Sequence, residues 1–432
     1  MKSKQKSISK NKRHLVTIDQ ISKKTSDAPF GTQLKSKDYA ESGIPVIQGR
    51  NIKENKFHWN NKKYTSKEKF DSLPRSHCSK GDLIFPKIGT IGNVCILPSI
   101  EGNEQCILST NSMSCSINEK LADPNYIYYY FCQKKIHDYI NSTSRGSTQP
   151  IFNYGMLKAF SIEIPSLEIQ LKVSKILQEL DSKIENLQNQ NKILEQMAQT
   201  IFKSWFVDFD GVIEFDDSEL GKIPKGWIVE ILENVKDQKK NSIATGPFGS
   251  NLKTSEYVFE GIPVIRGKDF EFGLVKQDNF VFITKEKANS LIPSNVFSKD
   301  ILITSQGNVG NIGFVPEISK YSRYVISSNL MKISINSKIM PPVYVYYYLK
   351  SIKGQQELLG NTSTTGVPHI AQPSKVLRNT RIIIPNTEIL KNFNMITTLI
   401  LQIISKNKNE ISSLTSIRDV LLPKLMSGEI RV

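Results

Sequence analysis

One block of this sequence is written twice. The stretch FGTQLKSKDYAESGIPVIQGRN, starting at Phe30, returns as FGSNLKTSEYVFEGIPVIRGKD at Phe248, an offset of 218 residues. The offset holds without a gap to a tyrosine cluster, YIYYY at 126–130 and YVYYY at 344–348. Over the 101 positions from Phe30 to Tyr130, 36 are identical, where chance gives roughly 6%. Beyond the tyrosines the offset drifts to 219 and then 220, so that Ile164-Pro165 meets Ile384-Pro385. A duplication this long requires two like units, each with its own core.

Both copies share one coarse plan. Short β-branched runs dominate: IPVIQG, GDLIFP and VCIL in the first copy, IPVIRG, DILIT and IGFV in the second. Glycines and asparagines punctuate them, which reads as short strands and tight turns. A helix follows in the first copy, with Asp123 as its N-cap and Pro124 at its first position, the arrangement in which a missing N–H costs nothing. Its adjacent tyrosines cover more than one face. Base stacking is one use for them, but the apolar run continues through Phe131 and Leu349, so buried core positions are expected.

A long helix with a heptad pattern closes each copy. Spacings of four and three run from Val173 to Trp205 in the first and from Phe393 to Leu425 in the second, ten positions each. One asparagine interrupts the middle of each stripe, Asn191 and Asn407. A pattern sustained over more than four heptads is a coiled-coil seam; the alternative is two helices docked separately on their own units. Antiparallel pairing sets Asn191 beside Asn407, whereas parallel pairing leaves each amide against an aliphatic side chain. An unpaired buried amide costs on the order of 1–3 kcal/mol, and a paired one fixes register. The ten positions span about 48 Å at 1.5 Å per residue, a length expected to hold the units at opposite ends about an approximate two-fold axis.

The expected segments are a basic tail at 1–13, a first unit at 14–165, a spacer helix at 166–207, an acidic Gly- and Pro-marked linker at 208–226, a second unit at 227–385, and a distal helix with tail at 386–432. The fold class is α+β: two pseudo-symmetric mixed α/β units joined by two long antiparallel coiled-coil helices.

Lys and Arg number 57 against 41 Asp and Glu, a net charge of +16, with a pI near 9.4. An excess of that size points to an anionic partner, nucleic acid before membrane. No apolar run approaches the roughly eighteen residues of a spanning helix, and the basic start lacks the apolar core of a signal peptide. Five cysteines, all in the first third and without a CxxC pair, indicate reduced thiols and a cytoplasmic protein. The scattered histidines give no metal-ligand spacing, so no metal is expected.

Catalytic signatures are missing. The stretch from Gly261 to Lys268 has the wrong spacing for a phosphate loop, and Gly89 to Gly92, recurring as Gly307 to Gly310, is too short for a dinucleotide fingerprint. Asp208, Asp210, Asp216 and Asp217 read as a solvated linker. No Asn/Asp-Pro-Pro-aromatic motif occurs. The positive signal is polar and basic side chains on loops: Lys35, Gln48, Arg50, Lys87, Asn93, Arg145, Ser147 and Gln149 in the first copy, and Lys253, Arg266, Lys268, Gln306, Asn308, Asn311, Thr364, Thr365 and His369 in the second. Arg, Gln and Asn are able to hold guanine or adenine edges in bidentate fashion, while Lys chiefly neutralises phosphate. Matched positions differ: Gln48 against Arg266, Arg50 against Lys268, Lys87 against Ser305, Ile88 against Gln306. Two readers on one scaffold, tuned to different sequences, have this appearance.

With these features the chain resembles the specificity subunits of type I restriction-modification systems. The resemblance rests on the tandem GIPVIxG…GNxG units, on IFKSWFVDFDGV ending the central helix, and on IRDVLLPKLMSGEI near the C terminus. It implies two target-recognition domains, each reading half of a bipartite double-stranded DNA site, and spacer helices on which two modification subunits dock. Those partners would carry S-adenosylmethionine and methylate adenine, and restriction subunits with motor and nuclease activity would cut unmodified DNA. The subunit itself needs no cofactor and no catalytic residue. The first copy departs from the pattern in lacking the Lys-Gly-Trp lead-in seen at 225–227. The alternatives are the specificity portion of another bipartite-site methyltransferase or restriction system, a modification enzyme fused to such domains, and a protein-only scaffold. The isolated chain is expected to transfer no methyl group, cut no DNA and hydrolyse no ATP; methyl transfer by the rigorously purified chain would refute this.

Overall fold

In a computed structural model, residues 13–31, 33–143, 151–271, 273–360, 362–363 and 366–432 are described. They fall into two compact units, Met1–Ser182 with Ser416–Val432, and Lys183–Thr415.

The first unit is built on two sheets. One is antiparallel, in the order Cys95–Ile96, Leu83–Pro86, Ser112–Ile117, Ser22–Asp27. The other runs Tyr39–Ala40, Tyr64–Thr65, Ile44–Ile47, Gln105–Leu108, His77–Ser79, with Ile44–Ile47 and Gln105–Leu108 parallel. The strand Leu83–Pro86 is buried throughout, because both its faces are covered. Leu83 and Phe85 enter the core that holds the tyrosine helix, and Ile84 enters a second core with Ile47 and Leu108. An uninterrupted apolar run is what a strand with two covered faces requires.

The second unit repeats the pairing at the same offset. The parallel contact of Val46 with Ile107 returns as Val264 with Val325, and Cys115 with Leu83 returns as Ile333 with Ile301. Ile301 and Ile303 face one core and Leu302 the other. A strand at the start of each unit pairs with the strand just before its long helix: His14–Thr17 with Ser161–Ile164, and Ile228–Ile231 with Arg381–Ile384.

The helix Pro124–Cys132 begins as its sequence indicates, with the Asp123 carboxylate accepting the Tyr126 N–H at 3.0 Å and proline at the first position. In the second unit Pro341 stands at the cap, and Pro342–Lys350 has no side-chain cap. Tyr344, Tyr346, Tyr347 and Tyr348 are core residues. Two of their hydroxyls have clear acceptors: Tyr344 Oη donates to the Ile383 carbonyl at 2.7 Å and Tyr347 Oη to Glu195 Oε2 at 3.0 Å, whereas the buried Tyr348 hydroxyl finds no partner among the described residues. In the first unit Tyr129 Oη donates to Asp181 at 2.7 Å. Burial pushes the tyrosine pKa values up throughout both clusters.

Leu167–Lys203 and Thr387–Ser427 are continuous helices of 37 and 41 residues, and each unit takes part of both. All twenty seam positions are buried or half-buried. In the second unit the stretches run antiparallel. Asn407 Nδ2 donates to Asn191 Oδ1 at 2.9 Å, and Trp205 meets Phe393 edge-on. In the first unit Val173 and Leu425 share one core, and Arg418, on the apolar stripe, is neutralised by Asp181 at 2.8 Å and by Asp419.

The 208–226 span is more than the solvated linker expected from its acidity. It folds into a hairpin, Phe215–Ser218 with Gly221–Pro224, because Phe209 and Ile223 are buried and Phe209 packs on Trp227 and Phe215. Four of its six carboxylates are occupied locally: Asp208 by Lys203, Glu214 by Lys225 at 2.7 Å, Asp210 by the Ser204 hydroxyl at 2.7 Å, and Asp216 by the Gly226 N–H at 3.1 Å.

Lys408, on the distal helix, is 7% exposed; its ammonium donates to the Glu271 carbonyl at 2.7 Å and lies 3.7 Å from the Glu271 carboxylate. Burial pulls its pKa down to about 8. The unfolded chain keeps that proton up to about 10.5, so between pH 8 and 10.5 the unfolded state binds more protons and this group makes stability rise with pH. The slope is at most about 1.4 kcal/mol per pH unit. Urea unfolding of the wild type and Lys408→Met across pH 7 to 10 should show the variant's advantage shrinking as pH rises; a pH-independent difference would contradict the assignment.

Candidate nucleic-acid interface

In the first unit three strands release their chains at one place. Ile44–Ile47 runs into the turn at Gly49–Asn51, Leu83–Pro86 into the glycine turn at 87–93, and Gln105–Leu108 into Ser109, Thr110 and Asn111. Between them lies a groove of about 430 Å³, lined by Gln48, Gly49, Arg50, Ile88, Gly89, Thr90, Asn111 and their neighbours. Two glycine requirements shape it. A Cβ on Gly49 would fall 2.8 Å from the Asn111 carbonyl oxygen, so the two walls approach this closely only without one. Gly89 and Gly92 adopt φ of +81° and +84°, as Gly307 and Gly310 do at +84° and +81°, a region costly for any residue with a side chain. The recurring G-x-x-G-N sequence is therefore a turn, and it forms one wall of the groove.

Asn93 is committed to this turn. Its Nδ2 donates to the Thr90 carbonyl at 2.9 Å and its Oδ1 accepts the Asn55 N–H at 3.0 Å. In the second unit it is the Asn311 main chain that contributes, its carbonyl accepting the Thr304 N–H at 2.9 Å. Lys87 is half-buried and ion-paired with Asp27. Lys35 and Lys253 are exposed; their main-chain N–H groups donate to Asp38 and Glu256, each at 2.7 Å, and these bonds hold both carboxylates below their usual range.

Arg50 and Arg266 stand differently. Arg50 is exposed, and its Nε donates to Gln48 Oε1 at 2.6 Å. No carboxylate among the described residues pairs with it, because the position three residues beyond Gln48 is Asn51, whose Oδ1 accepts the Gln48 N–H at 2.8 Å. At the matching place the second unit has Asp269, 3% exposed, which takes Arg266 Nε at 3.0 Å and Nη2 at 3.3 Å. Removing the guanidinium would leave a buried carboxylate backed by a single main-chain N–H at 2.9 Å, a change of roughly 3–5 kcal/mol. Arg266 is thus held by its own unit.

Lys268, Gln306 and Asn308 are exposed. His369 joins them through the main chain: Gln306 and His369 form a β-bridge, the Gly307 N–H donates to the Pro368 carbonyl at 2.9 Å, and the Ile370 N–H to the Ser305 carbonyl at 2.9 Å. A short hairpin, Thr362–Ser363 with His369–Ile370, is laid along the glycine turn in this way. Arg145, Ser147, Gln149, Thr364 and Thr365 lie outside the described residues.

Two residues brace the turns from behind and were not singled out from sequence. A Cβ on Gly92 would fall 2.6 Å from the His137 ring, and one on Gly310 would fall 2.6 Å from Gln355 Oε1. Gln355 Nε2 donates to the Gly310 carbonyl at 3.0 Å. His137 and Gln355 are related by the same 218-residue offset. The signal for them was the offset carried past the tyrosines, with a polar side chain at both places.

Residues 16–196 match a family described as the type I restriction modification DNA specificity domain. A type I restriction enzyme specificity subunit of Methanocaldococcus jannaschii, MjaIX, is 30% identical over 317 residues, 71% of this chain and 69% of the relative. The HindI specificity subunit of Haemophilus influenzae is 25% identical over 413 residues, 81% of this chain and 87% of the relative. The crystal structure of a type I restriction-modification S subunit from M. genitalium is similar in fold, with a TM-score of 0.59 at 17% identity over 98% of this chain and 99% of that one.

Gly307→Ala and Gly310→Ala separate backbone strain from bracing. Gly307 has open space around it, so alanine there should cost only the left-handed backbone term, about 1–2 kcal/mol. At Gly310 alanine must also displace Gln355, and the loss should be measurably larger. Equal losses in urea unfolding would contradict the bracing contact.

Proposed function

The chain belongs to the family of type I restriction-modification specificity subunits, and on that premise we propose that its two units read the two halves of a bipartite double-stranded DNA site. It is a DNA sequence-recognition subunit and not itself an enzyme. One observation carries the bipartite reading: the strand ends and glycine turns that frame the groove recur at a fixed offset in the second unit, at 266–269, 305–311 and 327–329, with different side chains at the matched positions. Arg50, Gln48 and Ile88 line the groove of the first unit, and Lys268, Arg266 and Gln306 occupy the matching positions of the second. A scaffold that binds only protein has no use for such a pair. The net charge of +16 supplies the phosphate attraction on which any DNA binding rests.

The long helices serve as the docking surface for two modification subunits, which bring S-adenosylmethionine and transfer the methyl group, and through them for restriction subunits. Within the second unit Met395, Leu399 and Ile403 form an exposed apolar line at spacings of four along the distal helix, and Ile193 and Met197 do the same on the central helix. An apolar stripe of this kind on a charged protein suits a partner helix. The working place is the cytoplasm, beside the DNA. Among the described residues no helix is long and apolar enough to cross a membrane.

The test is selection of randomised duplexes by the full-length chain assembled with its modification subunits. Two short fixed blocks separated by a gap of constant length are expected; a single contiguous block, or no enrichment, would overturn the proposal. Docking has its own check. Leu399→Glu with Ile403→Glu should weaken co-purification of the modification subunit at least about tenfold, with an unchanged unfolding midpoint. Full retention of the partner would remove this face from the interface.

A further inference from the structure

The rim of the first unit's groove and the matching turns of the second unit differ in which hydrogen-bonding fork they leave open, and we infer that the first unit's half-site contains a guanine held by Arg50 and the second unit's an adenine held by Gln306. This rests on the proposal that both grooves face DNA bases.

In the first groove the Arg50 guanidinium is anchored by one edge only. Nε is spent on Gln48 Oε1 at 2.6 Å, which leaves Nη1 and Nη2 as a pair without a partner among the described residues. Two parallel N–H donors match O6 and N7 of guanine, the major-groove edge that presents two acceptors. Gln48 acts as a positioning residue: its carbonyl oxygen fixes the plane of the fork, and a fork fixed beforehand loses less freedom on binding. The opposite wall carries Ile88, which offers no competing hydrogen bond.

The matching turns of the second unit reverse this arrangement. Asp269 takes Nε and Nη2 of Arg266, and Nη2 also lies 3.4 Å from the Asn279 carbonyl. One terminal nitrogen is left, and a single nitrogen cannot make the paired contact guanine requires. The fork left open is the amide of Gln306, at the position matching Ile88. It is exposed and has no side-chain partner among the described residues, and its backbone is fixed by the bridge to His369. One donor and one acceptor on a planar amide match N6 and N7 of adenine.

The residue that separates the two states is Asn51 in one unit and Asp269 in the other. Asp269→Asn should therefore release Arg266 and give the second groove a guanine preference it lacks. The experiment is duplex selection with the chain assembled with its modification subunits, comparing wild type, Arg50→Ala, Arg50→Lys, Gln306→Ala and Asp269→Asn, each checked for an unchanged unfolding midpoint. Arg50→Ala and Arg50→Lys should each lower preference for one guanine by about 10- to 100-fold and leave the other half-site intact. Gln306→Ala should do the same to one adenine in the other half-site, and Asp269→Asn should add guanine there. If Asp269→Asn proves unstable, the Arg50 pair and Gln306→Ala decide alone. A wild type that selects no bipartite motif would overturn the underlying DNA reading. A bipartite motif that Arg50→Ala leaves unchanged, or in which it relaxes a pyrimidine or adenine position, would overturn the base assignment alone.

Discussion

Asn191 and Asn407 meet at 2.9 Å inside a helix seam that is otherwise mostly apolar. The pair is an imperfect one, since Asn191 Nδ2 finds no partner among the described residues. Aliphatic residues in both places would pack a more stable seam. They would also tolerate a slip of one turn, in either helix direction, because Leu and Ile fit many registers. Two amides satisfy each other only when they are level, so the hydrogen bond discriminates between registers that hydrophobic packing leaves nearly equal. Much of the second unit depends on that alignment. The Glu195 carboxylate, on the central helix, receives Tyr347 and Lys350 from the tyrosine helix. From the distal helix, Lys408 and Ser412 reach Glu271 and Asp278. Shift one helix by a turn, and these polar groups lose their partners together.

The groove depends on a different constraint, the absence of a side chain. Gly49 lets the turn approach the Asn111 carbonyl, and the left-handed glycines at 89 and 92 fold the loop back over it. Because these requirements concern the main chain, they survive duplication while the rim residues change. Recognition is thereby separated from folding: strand ends and glycine turns build the concavity, and a few exposed side chains decide what enters it. The Arg266–Asp269 pair shows how one substitution in a turn alters that outcome. A carboxylate three residues away converts an available guanidinium into a structural one.

Much of this was legible in the sequence, for identifiable reasons. The duplication, the Asp123 cap, the buried tyrosines and the seam each follow from patterns carried by neighbouring residues or by a fixed period. The facing of Asn191 and Asn407 followed from counting, since the numbers of each facing seam pair have a constant sum. What escaped were contacts that only tertiary folding creates. Lys87 and Asp27 are far apart in the chain, and nothing in either segment announces their ion pair. The hairpin at 215–224 was hidden by the acidity of its segment, because the buried Phe209 and Ile223 outweigh the surrounding carboxylates in deciding the fold. Among the polar loop residues, Arg266 and Gln306 look equivalent in the sequence. The difference between them lies in a turn geometry that brings Asp269 onto the guanidinium.

Hydrogen–deuterium exchange of the full-length chain, assembled with its modification subunits, tests most directly that both grooves are the DNA-reading surface. The expected result with the selected duplex is slowed exchange at 48–52 and 87–93 in the first unit, together with 266–270 and 305–310 in the second, each lost when its own half-site is scrambled. Protection confined to one unit, or to the helices with both glycine turns unaffected, would contradict it.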